Sequence, residues 1–264
     1  MIATSDPRVR LDIAEGLATL TLTRGRAGNA LDDQSGRELR AAALACATAE
    51  DVRAVLLCAQ GPNFCFGGDL SHIAAQTDRG AAVRDMTFDF HAAVDLLAGM
   101  RKPLVCAVRG AATGAGLSLA AISDYVICSD TAFFAYAYCG VGLSADGGLT
   151  WSLPRVIGLR AFQSLYLTGR RVGAEEGQRL GLVSEIVEDG ALDARTVTFA
   201  RQLADGPTLA YGAIKRLAAS AFSQGLAAHL DAEGEALVAL ARSDDTDGAI
   251  KALLARAQPT FKGR

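Results

Sequence analysis

The stretch "GAATGAGLSLA" (residues 110–120) follows the apolar run "PLVCAVR" (103–109) and leads into residues with a helical reading from about Ala115. A glycine-rich corner between a buried strand and a helix leaves backbone N–H groups unpaired. The positive end of the helix dipole lies behind them, so such a corner suits an anionic or carbonyl oxygen. Small residues let that oxygen approach the backbone closely.

The surrounding sequence sets the fold class. Val9, Leu11 and Ile13 alternate up to a Glu15-Gly16 turn, and "LATLTLT" returns, which predicts a hairpin. Residues 33–47 read as an amphipathic helix, "VRAVLLCA" (52–59) as a buried strand, and "AAVRDMTFDFHAAVDLLAGM" (81–100) as a long helix ending near Gly99. "DYVICS" and "AFFAY" follow as strands. Strands and helices take turns, which predicts an α/β fold with a mostly parallel sheet. Beyond Pro154 the sequence turns helical apart from a brief strand at "LVSEIV". Residues 1–200 are expected to form the core. Residues 201–264 are expected to form a helical oligomerisation region, because its apolar stripes are wider than a monomer surface needs. Asp245 reads as the N-cap of the last helix.

The chain has 264 residues, half of them hydrophobic, so a large core is available. Net charge is −3 and the basic residues are scattered, which gives no footprint for nucleic acid. Six cysteines lie mostly in apolar runs without a C-x-x-C pair, as reduced thiols of a cytoplasmic protein would. The opening residues lack the apolar segment of a secretory leader, and no uncharged window is long enough to cross a bilayer. His72 and His229 have no partners at metal-ligand spacing.

A second corner, "FCFGGDL" (64–70), also follows an apolar strand and opens a helix. In a parallel sheet both corners lie at the carboxyl ends of strands, where open α/β folds bind ligands. Two converging N–H donors stabilise an enolate-like charge, and one such donor is worth about 3 kcal/mol of transition-state stabilisation.

Together these motifs resemble those of the crotonase superfamily, the enoyl-CoA hydratase/isomerase proteins. "GNAL" (28–31) is similar to the family's N-A-L segment, "NFCFGGDL" to its F-x-A-G-x-D-L turn, and "KPLVCAVRGAATGAGLSLAAISDYVIC" to its K-P-x-x-A-x-x-G…G-x-G…D segment. "GGLTWSLPRVIG" and the closing "FKGR" fit as well, and the likeness spans essentially the whole chain. It implies a crotonase-like spiral of ββα units with a helical C-terminal region, assembled as a trimer or a dimer of trimers. It also implies an acyl-CoA substrate and no metal or redox cofactor.

Carried over by position, the oxyanion donors are the N–H groups of Gly68 and Ala115. Phe66 stands where a small residue is usual and is expected to narrow the acyl pocket, beside Gly67, Leu70 and Gly114. Asp69 reads as a helix N-cap near the substrate. Arg26, Ala30 and Leu31, with Lys262 reaching in from another subunit, are the candidates for the CoA end.

The family's hydratases use two glutamates. Their places are taken here by Ser118 and Tyr138. Asp146, in "LSADGGLTW", matches the proton-shuttling aspartate of family isomerases. Burial would raise its pKa and make it a better base near neutrality; a helix-capping role is the plain alternative. His91 matches the water-activating histidine of the superfamily's aromatic dehalogenases. The wording of the segment after Asp146 and of the tail is nearest to the phenylacetate-pathway ring-epoxide isomerases.

A proton-shuttling isomerase is therefore expected. The alternatives are a hydratase, a dehalogenase-like enzyme, an idle acyl-CoA binder and a short-chain dehydrogenase. The last rests on Gly110-x-x-x-Gly114-x-Gly116 and on the Tyr211-x-x-x-Lys215 spacing.

Overall fold

A computed structural model describes residues 6–264; the leader reading of residues 1–5 lies outside the described residues. The hairpin is present: β1 (Val9–Ala14) pairs antiparallel with β2 (Leu17–Leu22), with Glu15 and Gly16 both at positive φ in the turn. α1 (Asp33–Thr48) follows, then β3 (Ala54–Ala59), α2 (Leu70–Ala74), α3 (Arg79–Gly99) and β4 (Leu104–Val108). Next come β5 (Ala111–Thr113), α4 (Ala115–Ala121), β6 (Tyr125–Ser129) and β7 (Phe133–Ala135). α5 (Leu149–Ile157), α6 (Leu159–Thr168), β8 (Arg171–Gly173), α7 (Ala174–Leu180) and β9 (Glu185–Val187) lead to the last four helices. These are α8 (Leu192–Ala204), α9 (Thr208–Ser220), α10 (Leu226–Ala241) and α11 (Asp244–Leu254).

The strands form two sheets, β1-β2-β3-β4-β6-β9, parallel from β2 onward, and β5-β7-β8. Bridges between Cys65 and Ala112 and between Leu31 and Gly68 extend the second layer toward the first corner. Successive turns of chain thus place one segment in each layer: β3 and then Cys65, β4 and then β5, β6 and then β7. This is a spiral of strand-strand-helix units.

The central strands read as unbroken apolar runs because both faces of the large sheet are covered. In β3, Val55 and Leu57 face the core beneath α1 and α3, while Ala54 and Leu56 face Leu192, Ala200 and Ala204 of α8. β4 alternates in the same way, with Cys106 and Val108 on one side and Val105 and Ala107 on the other.

Three expectations need correction. The "GAATG" corner is two bends with a strand between them: Gly110 (φ +55) leaves β4, β5 joins the small sheet, and Gly114 (φ +54) opens α4. β8 was not expected; three residues are too few to show a period. Asp245 is not the cap of α11. Ser243 accepts the Thr246 N–H there, and the buried Asp245 carboxylate accepts the N–H groups of Lys262 (2.6 Å) and Gly263 (2.8 Å). All six cysteines are unpaired. Among the described residues no helix is long and apolar enough to cross a membrane.

Candidate active site

The two corners abut. A Cβ built on Gly67 would lie 3.3 Å from the Ala115 nitrogen, and one on Gly114 would lie 3.5 Å from the Gly67 Cα. Gly116 fits under the first corner only because it has no side chain; a Cβ there would sit 2.4 Å from the Cys65 carbonyl oxygen. The neighbouring N–H groups are spent, Gly67 on the Cys65 Sγ and Gly114 on the Ala135 carbonyl. The N–H groups of Gly68 and Ala115 have no acceptor among the described residues. Both residues line one small cavity of about 30 Å³, together with Asp146, Leu31, Met86 and Phe90.

This cavity adjoins a larger one of about 420 Å³, walled by Leu70, Ile73, Val83, Met86, Val141 and Leu143. Its polar residues include Thr87, His91, Tyr138, Ser144 and Asp146. Gly68, Met86 and Asp146 border both spaces. The size and apolar wall suit a small organic group.

Asp146 is held on several sides. The Tyr138 hydroxyl donates to its Oδ1 at 2.5 Å, and the Ser118 hydroxyl donates to its backbone oxygen at 3.0 Å. Gly147 next to it is at φ +57, and a Cβ there would collide with Phe90 (2.5 Å) and Ser118 (2.9 Å). The Gly147 N–H donates to His91 Nε2 at 3.1 Å, which assigns the ring proton to Nδ1. Burial holds the Asp146 carboxyl above the usual carboxylate range, against the opposing pull of the Tyr138 hydrogen bond. Burial and the adjacent Asp146 charge likewise push the Tyr138 phenol up, so it stays a donor. The capping reading of Asp146 fails: Gly148 holds the N-cap position of α5 with no side-chain cap, and the Asp146 side chain faces Tyr138.

The other residues singled out in the sequence divide. Phe66, Gly67, Leu70, Gly114, His91 and Tyr138 border the larger cavity, and Leu31 borders the smaller one. The half-exposed Phe66 ring covers Gly28, where a Cβ would meet it at 2.1 Å. It divides the apolar cavity from an open polar groove bordered by Arg8, Arg24, Arg26 and Gln60, so it borders more than the acyl side.

Ala30 gives its carbonyl to Arg24 and borders none of these spaces. Asp69 does cap α2, accepting the Ser71 and His72 N–H groups, and it pairs with Arg24 at 3.0 Å; it is turned away from the cavity. Lys262 lies in the tail that Asp245 and Arg53 hold at the amino ends of the strands, so this chain does not bring it to its own cavity. Lys215 is bound to Asp124 (2.7 Å), and Tyr211 borders a different depression. The Tyr-x-x-x-Lys spacing therefore builds no site with the glycine corner, and the dehydrogenase reading falls.

The sequence reading missed Arg24, which braces the first corner through Asp32 (3.1 Å) and Asp69. It also missed Met86 and Phe90, whose i, i+4 spacing along α3 beside Val83, Thr87 and His91 was the available signal. Among the described residues no cluster of three or more potential metal ligands occurs.

A family model for enoyl-CoA hydratase/isomerase matches residues 12–264. A Rhodobacter capsulatus protein named "Probable enoyl-CoA hydratase" is 35% identical over 97% of this chain and 98% of its own. The 1,2-epoxyphenylacetyl-CoA isomerase of Escherichia coli is 34% identical over 96% and 97%. The crystal structure of an enoyl-CoA hydratase from Polaromonas sp. JS666 superposes with a TM-score of 0.91 at 29% identity, over 96% of this chain and 99% of that one.

Proposed function

Because the chain belongs to the enoyl-CoA hydratase/isomerase family of crotonase-fold acyl-CoA enzymes, we propose that it is a proton-shuttling isomerase of an unsaturated or ring-containing acyl-CoA thioester. The observation that carries this reading is Asp146, the one carboxylate without an ion-pair partner in the cavity it shares with the free N–H groups of Gly68 and Ala115. Asp32 also reaches that cavity but is spent on Arg8, Arg24 and the Ser35 N–H. Ser118 and Tyr138 stand where a hydratase needs carboxylates to hold and split a water, and both are engaged on Asp146.

In this mechanism the Gly68 and Ala115 N–H groups bind the thioester oxygen and accept the charge that develops when a neighbouring C–H bond breaks. Asp146 removes that proton and returns it at another carbon of the same conjugated system, so no atoms are gained or lost. The raised carboxyl pKa brings base and conjugate acid closer to neutrality, where one group serves both steps. Tyr138 donates to the ionised form and turns the carboxylate toward the substrate. No metal or redox cofactor is required, and coenzyme A arrives with the substrate. Arg26 and the polar groove beside Phe66 would take its phosphate end. The exposed Leu226, Leu230, Leu237, Ile250, Leu253 and Leu254 of α10 and α11 support assembly into trimers through residues 201–264, where a neighbour would deliver Lys262.

The test is turnover of a panel of 3-enoyl-CoA and ring-bearing thioesters in deuterated buffer and, separately, in ¹⁸O-labelled water. The isomerase reading expects a shifted double bond with deuterium exchange and no ¹⁸O in product. Label on C3 would make the enzyme a hydratase.

A further inference from the structure

We propose that His91 is the positioning residue for Asp146: through Nε2 it holds the Gly147 N–H and so fixes the loop that carries the carboxylate. The inference rests on the isomerase reading above. His91 borders the cavity, and an imidazole in that place invites a role as a base. Its acceptor nitrogen is already occupied by a peptide N–H at 3.1 Å, and the other nitrogen carries the proton. Taking a proton from water or substrate would require His91 to release Gly147.

The grip is specific. Gly147 sits at φ +57, and the space a Cβ would need is taken by the ring of Phe90, the residue next to His91 in α3. Adjacent residues of one 21-residue helix thus hold the same glycine, one by contact and one by hydrogen bond. From the other side α4 holds the preceding residue through Ser118. Tyr138 is the titratable group that bonds the Asp146 carboxylate directly, while His91 faces it as a neutral ring held on Gly147. A relay with one carboxylate must reach two carbons, so it tolerates little displacement; about 1 Å of misplacement costs on the order of 100-fold in rate.

The experiment measures steady-state kinetics and solvent deuterium exchange with a 3-enoyl-CoA for wild type, His91→Leu, His91→Gln and Asp146→Asn, each checked for folding by circular dichroism. His91→Asn, too short to reach the Gly147 N–H, replaces the leucine variant if that does not fold. His91→Leu is expected to lower kcat by roughly 10- to 100-fold with KM within about twofold. Glutamine can place Oε1 where Nε2 lies, so His91→Gln is expected to recover kcat to within about threefold of wild type and to keep its acid limb. A glutamine variant as slow as the leucine variant, or a leucine variant at the wild-type rate, overturns the inference. Unimpaired exchange in Asp146→Asn overturns the isomerase reading instead.

Discussion

At the amino ends of the parallel strands, Arg53 donates to Thr208 Oγ1 (3.1 Å) and to the carbonyls of Phe261 (2.7 Å) and Gly206 (2.6 Å). Lys102 there caps α1 through the Cys46 and Ala49 carbonyls, and the buried Asp245 is filled by two N–H groups of the tail. Beyond the carboxyl ends the corresponding groups are left incomplete. Two peptide N–H groups face a cavity without an acceptor, and a half-buried carboxylate has one phenol as its direct donor. One end of the sheet uses its polar groups to close the chain. The other keeps them available, at a cost in stability that a bound ligand would offset.

The strongest way to break this contrast is Asp146→Asn. Activity should fall by about 1,000-fold or more, since acid–base catalysis is worth on the order of 10²–10⁴. The variant should nevertheless be more stable than wild type at neutral pH. Burial raises the Asp146 pKa, so the protonated carboxyl favours the folded state below the usual carboxylate range, and that benefit is lost as pH rises through the elevated value. Asparagine never ionises, so its advantage in urea unfolding should be present at pH 7–8 and vanish in acid.

Gly116→Ala comes next. A helical glycine gains up to about 1 kcal/mol from alanine by propensity alone. Here the new Cβ meets the Cys65 main chain at 2.4 Å, and overpacking of that kind costs about 1–3 kcal/mol. A loss of stability and roughly a 100-fold fall in kcat, from displaced donors, are expected.

Arg53→Met reverses the first prediction: stability should drop by about 2 kcal/mol as three acceptors lose their donor, with kcat unchanged. Tyr138→Phe should lower kcat, as the carboxylate loses the donor that turns it toward the substrate, and should also shift the titration. The phenol draws the Asp146 pKa down, so its removal should move the acid limb of kcat/KM to higher pH. Gly68→Ala should do least. The nearest atom to a Cβ there is Met86 Cε at 3.8 Å, so both activity within about threefold and unchanged stability are expected, because the donor is main chain.

Much of this contrast was legible in the sequence on the catalytic side. The period-two hairpin, the apolar strands and the glycine corners are local patterns, and Ser118 and Tyr138 stood out by not being carboxylates. The closing side was not legible. The partners of Arg53 lie more than 150 residues away, and Asp245 before a helix reads as a cap until the tail 17 residues later is seen to fill it. The same limit hid the bond between Gly147 and His91, 56 residues apart. It also hid β5, where a three-residue strand inside a glycine corner looks like part of the turn.

The most direct measurement is a crystal structure with a stable acyl-CoA analogue that keeps its carbonyl and replaces the thioester sulfur by a methylene. The account predicts the carbonyl oxygen at about 2.7–3.1 Å from the nitrogens of both Gly68 and Ala115. It also predicts an Asp146 carboxylate oxygen beside the adjacent acyl carbon. A carbonyl bound elsewhere, with those two N–H groups still facing solvent, would contradict it.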